Sequence, residues 1–168
     1  MNRRSEKVDI IIPVYNGYDD LQRCIPSVKR HTDLSRHRVI LINDCSPDER
    51  IAPYLDSLAD DHILVLHNET NQGFSANVNI GMQLSEDRDV LLLNSDTIVT
   101  AGWLDKILAC AYREESIATV TPLSNSATLC SVPVMCQDNP VPENCTVDSY
   151  AALIERCSLH RYPRITVA

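Results

Sequence analysis

Residues 8–17 read VDIIIPVYNG, an apolar run rich in β-branched residues that closes in the dipeptide Asn16-Gly17. Its apolar part, residues 8–13, followed by the turn dipeptide, predicts a buried β-strand. Residues 19–31 then place four apolar side chains at positions i, i+3, i+4 and i+7, which predicts an amphipathic helix. These side chains are Leu21, Cys24, Ile25 and Val28. The two segments together predict the first strand–helix unit of an α/β sheet.

The same alternation continues along the chain. We predict further strands at 39–42, 63–66, 90–93 and 117–121, and further helices beginning at Ser46-Pro47 and covering 75–85, 102–114 and 147–157. Short links between strands and helices favour a mostly parallel, Rossmann-like sheet flanked by helices. The continuously apolar run 90–93 predicts a central strand covered on both faces. Because parallel sheets bind ligands at the carboxyl ends of their strands, the polar residues that follow each strand are the candidate site.

The length of 168 residues suits one domain with a full core. We expect residues 1–121 to form a ligand-binding core. Residues 122–168 begin with an irregular stretch rich in Ser, Asn, Pro and Cys, followed by a short helix, and 162–167 resemble the start of a strand. Loops of this length are often functional or mobile. We therefore predict that 122–168 form the beginning of an acceptor-side region of the same domain.

Composition excludes some classes of function. The formal net charge of −8 argues against nucleic-acid binding, which requires a basic face. No stretch reaches the roughly 18–20 apolar residues of a membrane span, and residues 1–7 are polar, so we expect a cytoplasmic protein with membrane association only through regions outside this sequence. The 7 cysteines include no Cys-x-x-Cys pair, which favours free buried thiols over zinc or disulfide chemistry.

Four polar clusters occur in a fixed order along the chain. They are IIPVYNG at 11–17, LINDCSPD at 41–48, NQGFSANVNIG at 71–81 and LLNSDT at 92–97. In this order and spacing, the set resembles family 2 glycosyltransferases, which have the GT-A fold and build bacterial polysaccharides. The resemblance runs from about Val8 to the C-terminus. Residues 103–128 are also similar to a subgroup associated with O-antigen and cell-wall sugar chains.

The resemblance implies a nucleoside site at the ends of the first two strands. Pro13 and Tyr15 would flank the base and ribose, and Asn16 would shape the turn. Asp44 would accept a hydrogen bond from the ring N–H of uracil or thymine, because an ionised carboxylate only accepts. Two other interpretations stay open here, since Tyr15 could cap the core and Asp44 could be an acid at a helix N-terminus.

The resemblance also implies a diphosphate and metal site. Gly73 would allow the backbone to approach the diphosphate. The Asp-x-Asp motif of the family reads Asn94-Ser95-Asp96 here, so Asp96 would bind Mg²⁺ or Mn²⁺ together with the diphosphate, and Asn94 and Ser95 would contact the nucleotide. The alternative is that Asp96 is an ordinary turn aspartate beside a local cap at Thr97.

The function implied is inverting sugar transfer from a UDP- or dTDP-sugar to a glycan or lipid-linked saccharide. Inverting transfer needs a carboxylate that takes the proton of the acceptor hydroxyl. In the family this acid follows the metal motif in an acceptor-side segment, and none of Glu143, Asp148 and Glu155 has the surrounding pattern. We therefore expect a chain truncated before that segment, with the catalytic base beyond Ala168.

The sequence argues against two other functions and leaves a third open. A dinucleotide-dependent dehydrogenase would need a Gly-x-Gly-x-x-Gly turn after the first strand, where residues 13–17 read PVYNG. A phosphatase of the haloacid-dehalogenase kind would need an acid as nucleophile at position 94, which is Asn94. A nucleotide-binding or interaction module without transferase activity remains the alternative.

Overall fold

The computed structural model describes residues 7–158 and 162–163. The chain divides into two compact units, Met1–Val99 and Thr100–Ala168. The functional division predicted at residue 121 stays a prediction.

The first unit is built on a four-stranded parallel sheet. Its strands are β1 (Val8–Val14), β2 (Arg38–Asn43), β3 (Ile63–His67) and β4 (Asp89–Leu92), in the order β3-β2-β1-β4. The helices that alternate with them are α1 (Tyr18–His31), α2 (Ile51–Asp56) and α3 (Phe74–Gln83). The predicted α/β class and the predicted parallel pairing are confirmed.

The core of this unit lies on the two inner strands. The apolar side chains of β1 and β2 are almost completely buried, with Ile11, Ile40 and Ile42 forming one cluster. Helix α1 covers the sheet with the four side chains that its spacing predicted, all of which are buried. Its two acids lie in the first turn and three bases lie in the last turn, which complements the helix dipole.

Two predictions for the first unit are wrong. The second helix begins at Ile51 and not at Ser46-Pro47, because the Ser46 hydroxyl accepts a hydrogen bond from the Asn16 backbone N–H and does not cap a helix. Strand β4 is not central. It pairs with β1 alone among the described residues, and Val90 and Leu92 are partly exposed. A continuous apolar run fits a half-covered edge strand equally well, because the run does not specify neighbours.

The second unit contains helices α4 (Trp103–Ala111) and α5 (Val147–Cys157) and a two-stranded ribbon of β5 (Ser126–Ala127) and β6 (Gln137–Asp138). The predicted helix at 147–157 is confirmed, and Thr146 and Ser149 form a capping box at its start. The predicted strand at 117–121 is wrong, since no strand forms there. A β-branched run becomes a strand only where a neighbour supplies ladder hydrogen bonds. The predicted strand start at 162–167 lies outside the described residues, except for its first two.

The irregular stretch of the second unit is ordered by a polar centre. The side-chain amide of Asn139, which is 5% exposed, donates to the Ser131 hydroxyl and shares its two hydrogens with the backbone carbonyls of Asn125, Val134 and Gln137. The Val134 backbone N–H donates in return to Asn139 Oδ1. A shallow cavity of about 350 Å³ lies beside this ribbon and is lined by residues of the second unit alone.

No helix in the described part of the chain is long and apolar enough to cross a membrane. All 7 cysteines are free thiols, as predicted. Their predicted burial holds for Cys24, whereas Cys45, Cys136 and Cys157 are exposed. Their apolar neighbours in the sequence do not all face the core.

Candidate functional site

The candidate residues of the first unit follow three neighbouring strands. Tyr15 and Asn16 follow β1, Asp44 follows β2, and the segment 94–96 follows β4 by one residue. Since these strands are parallel and adjacent, their carboxyl ends lie at the same edge of the sheet. The Asp44 backbone N–H donates to the Val14 carbonyl at 2.8 Å, and the Leu93 N–H donates to the Ile11 carbonyl at 2.9 Å.

The turn after β1 has the conformation that its sequence indicates. Asn16 and Gly17 both lie in the left-handed region, with φ of 61° and 72°. The Asn16 N–H donates to Ser46 Oγ at 3.0 Å, which joins this turn to the segment after β2. Tyr15 is 54% exposed, so its interpretation as a core cap is wrong and its ring is available at the edge. Pro13 lies within β1, half-buried and paired with Ile42.

Asp44 is 3% exposed, and both of its carboxylate oxygens are hydrogen-bonded. Oδ1 accepts from the Gln72 N–H and from Asn68 Nδ2, both at 2.8 Å, and Oδ2 accepts from the Gly73 N–H at 2.9 Å. Asp44 is therefore not an N-terminal acid of the helix that follows it. Its carboxylate instead faces the N-terminus of α3, where the helix dipole favours negative charge.

Gly73 is the residue at which the chain enters α3. Its φ of 78° and ψ of 161° describe a backbone conformation open almost only to glycine. A Cβ added there would meet no atom within 4 Å, so the backbone is free for close approach by a ligand. Besides Asp44, the Asn71 side chain accepts from the Gly73 N–H, at 3.0 Å.

The sequence did not single out Asn68, which is central to this region. Its Nδ2 group donates to Asp44 and, at 3.0 Å, to Asn77 Oδ1. Asn77, which is 1% exposed, donates in turn to the Ile42 carbonyl of β2. Asn68 directly follows β3, so the rule that selects polar residues after strands would have found it if applied to all four strands.

The segment after β4 is held by helix α1. The Cys24 thiol lies 3.8 Å from the Asn94 carbonyl, to which it donates, and burial raises the pKa of this thiol to about 12. Ser27 Oγ accepts from the Val99 N–H at 3.0 Å. These two contacts fix both ends of the segment, while Asn94 and Asp96 are exposed and Ser95 is half-buried.

The residues of this segment fit a hard cation only in part. The side chains of Asn94, Ser95 and Asp96 offer oxygen ligands, which Mg²⁺ and Mn²⁺ prefer. Within 7–158 and 162–163, no group of three or more His, Cys, Asp or Glu side chains could hold a metal ion. The donor set therefore suits a cation that takes most of its ligands from phosphate oxygens and water.

A family model matches the segment that contains all of these residues. The model described as Glycosyl transferase family 2 covers residues 9–128. The chain belongs to glycosyl transferase family 2. The predicted resemblance is thereby confirmed, and the boundaries of the match include every candidate residue from Pro13 to Asp96.

The curated relatives of this family 2 chain include bacterial glycosyltransferases. An uncharacterized glycosyltransferase of Haemophilus influenzae is 29% identical over 110 residues, which are 66% of this chain and 36% of the relative. The putative colanic acid biosynthesis glycosyl transferase WcaA of Escherichia coli is 30% identical over 103 residues, 61% of this chain and 37% of the relative. The aligned region thus spans little more than a third of the length of these two relatives.

Solved structures share the fold. Residues 1–349 of TarS from S. aureus, in a complex with UDP-GlcNAc, match with a TM-score of 0.55 and 19% identity, over 73% of this chain and 40% of that one. GalNAc-T7 with UDP, GalNAc and Mn²⁺ matches with a TM-score of 0.56 and 20% identity, over 67% and 22%. The family 2 chain therefore has the predicted GT-A type of α/β fold.

Proposed function

We propose that this chain provides the nucleotide-sugar site of an inverting glycosyltransferase that transfers a sugar from a UDP- or dTDP-sugar to a glycan or lipid-linked saccharide. The observation that carries the proposal is that Tyr15, Asp44 and the segment 94–96 follow the carboxyl ends of three adjacent parallel strands, and so lie at the same edge of the sheet. Membership of the family supports the reaction class. Residues 1–121 would carry this site.

The nucleoside would lie between the turn after β1 and Asp44. The exposed ring of Tyr15 offers a flat apolar face to a pyrimidine. A carboxylate has about four lone-pair sites, and the three hydrogen bonds at Asp44 leave one on Oδ2. This remaining site would accept the ring N–H of uracil or thymine. Cytosine has no such N–H, which makes the proposal specific.

The diphosphate would lie between Gly73 and Asp96. The backbone at Gly73 has open space around it, and Asp96 would hold Mg²⁺ or Mn²⁺, with Asn94 and Ser95 toward the nucleotide. When bound, the cation would neutralise the nucleoside diphosphate as it leaves the anomeric carbon. We assign no proton acceptor among the described residues.

We also propose that the protein acts in the cytoplasm. Seven free thiols, several of them exposed, suit a reducing compartment. An acidic chain with net charge −8 fits partners that are sugars and not nucleic acids.

Calorimetric titration with UDP, dTDP and CDP, each with and without Mn²⁺, tests the donor site. We expect UDP and dTDP to bind about tenfold or more tightly than CDP, and Mn²⁺ to strengthen their binding. Asp96→Asn should abolish the effect of Mn²⁺. The matched control is Glu86→Gln, which removes one charge from an exposed residue before β4, at the opposite edge of the sheet.

Three outcomes would contradict parts of the proposal. Equal binding of UDP and CDP would mean that Asp44 does not recognise the base and only holds the loop at Gln72 and Gly73. An effect of Mn²⁺ that survives Asp96→Asn would remove the metal role. Binding of UDP-sugars by the full-length protein, without transfer or hydrolysis, would favour a nucleotide-binding module without transferase activity.

A further inference from the structure

A hydrogen-bonded chain of side chains lies beneath the segment that carries Asp44. Asn43, the last residue of β2, is 5% exposed. Its Oδ1 accepts from the Ser46 backbone N–H at 3.0 Å, and its Nδ2 lies 3.1 Å from His67 Nδ1 at the end of β3. The other ring nitrogen, Nε2, lies 2.9 Å from Asp56 Oδ1.

These contacts determine where the proton of His67 lies. A backbone N–H can only donate, so the Asn43 oxygen must face Ser46 and the Asn43 amide nitrogen must face His67. That nitrogen also only donates, so His67 Nδ1 must be unprotonated and accept. The proton is then on Nε2 and is donated to Asp56. Only the neutral Nε2–H tautomer satisfies all three contacts.

The chain continues beyond Asn43 to the candidate nucleoside site. Ser46, whose N–H is held by Asn43, accepts the Asn16 N–H through its hydroxyl. Asp44 lies between Asn43 and Ser46. We call the hydrogen bonds from Asp56 through His67 and Asn43 to Ser46 the clamp. A change at His67 therefore reaches Asp44 and the turn after β1 through hydrogen bonds, although His67 itself is not among the candidate site residues.

We propose that His67 is a positioning residue which, in the Nε2–H tautomer selected by Asp56, holds Asn43 and thereby fixes the segment 43–46. Its link to nucleotide binding rests on the function proposed above. The clamp itself does not, because it consists of hydrogen bonds within the first unit. Loss of the acceptor at Nδ1 leaves the buried amide of Asn43 without a partner, which loosens the segment.

The tautomer is measured by long-range ¹H–¹⁵N NMR of the histidine side chains at neutral pH, with the His67 signals assigned by their loss in His67→Asn. We expect a protonated Nε2 and an unprotonated Nδ1 in the natural chain. Asn43→Asp replaces the donor by an acceptor, so His67 should then carry protons on both nitrogens. An Nδ1–H tautomer or an imidazolium in the natural chain would overturn the proposal.

Two substitutions at His67 distinguish the role of the acceptor atom Nδ1 from that of the rest of the imidazole ring. His67→Asn can place its side-chain oxygen near the position of Nδ1, whereas His67→Leu offers no acceptor. We expect the amides of Ser46 and Asn16 to exchange about tenfold faster with solvent in His67→Leu, and close to the natural rate in His67→Asn. The control is His62→Leu, at an exposed residue before β3. If amide exchange at Ser46 and Asn16 is unchanged in His67→Leu, the proposal is wrong.

The same variants are titrated with UDP. We expect His67→Leu to weaken binding about tenfold and His67→Asn to weaken it no more than about threefold. If the natural chain does not bind UDP, the proposed function fails, while the tautomer and the amide exchange still decide whether the clamp exists. If the natural chain binds UDP and His67→Leu binds it equally well, the positioning role is wrong. The tautomer itself is measured in the natural chain, and only the assignment of the His67 signals needs a folded His67→Asn protein.

Discussion

At the scale of single residues, Asp44 has a structural task that its position in the sequence did not reveal. Its carboxylate joins the end of β2 to the N–H groups of Gln72 and Gly73. Hydrogen bonds to a charged acceptor each stabilise by about 1.5–3 kcal/mol. The approach to α3 is therefore held in place before any ligand binds. The residue that we propose for base recognition therefore also organises the loop that leads into α3.

Cys24 gives a prediction at this scale. The pKa of its buried thiol is raised to about 12, so almost no reactive thiolate exists near neutral pH. We expect iodoacetamide to leave Cys24 unmodified in the folded protein and to modify it in urea. Peptide mass spectrometry after timed labelling measures this.

Cys45, which directly follows Asp44, is the internal control for that labelling because it is exposed. It should react in the folded protein. Labelling of Cys24 at the rate of Cys45 under native conditions would show that α1 does not cover the segment after β4 as described.

At the scale of elements, the position of α3 depends on one missing side chain. A Cβ at Gly81 would lie 2.8 Å from Ile11 Cγ2 and 2.9 Å from Ile42 Cδ1, both in the buried centre of the sheet. The helix can therefore approach β1 and β2 closely. This approach brings its N-terminus to the edge where Asp44 and Asn68 lie.

We expect Gly81→Ala to destabilise the protein. Alanine favours a helix over glycine by about 1 kcal/mol, but overpacking a rigid core costs roughly 1–3 kcal/mol. The clash should prevail because two β-branched residues on neighbouring strands would have to move. Urea unfolding followed by circular dichroism measures the change.

Asn79→Ala is the matched control for Gly81→Ala, since Asn79 is exposed on the same helix. It should leave the unfolding midpoint unchanged or raise it slightly, because alanine is the better helix former. A Gly81→Ala protein as stable as Asn79→Ala would mean that the helix can shift away from the sheet at no cost.

At the scale of the whole first unit, a buried ion network ties its amino-terminal edge together. Asp9 is fully buried in β1 and accepts from Arg38 Nη2 at 2.7 Å and from the Ser85 hydroxyl at 2.6 Å. Arg88 Nε lies 3.5 Å from the same carboxylate. The network connects β1, β2 and the link from α3 to β4, opposite the candidate site.

We expect Asp9→Ala to lower the free energy of unfolding by about 3 kcal/mol, the lower end of the range for breaking a buried pair. The lower end applies because the side chains of Arg38 and Arg88 are 30% and 27% exposed and can be partly hydrated. Arg23→Ala, which removes an exposed ion pair with Asp20, is the control and should change stability by less than about 1 kcal/mol. Equal midpoints in urea for the two variants would refute the structural role of Asp9.

The sequence by itself determined the elements whose signal is local. Apolar runs placed β1, β2 and β3 within one or two residues, and helical periodicity placed α1 equally well. The four polar clusters identified the family. All of these signals lie within short segments of chain. The tertiary structure alone decided which strands are neighbours, and so that β4 lies at an edge and that Ser46 binds Asn16 and caps no helix. It also decided the partners of Asp44, and the clamp from His67 through Asn43. These contacts join residues 24 to 30 positions apart, and no local pattern encodes a hydrogen bond whose partner arrives only when the sheet has formed.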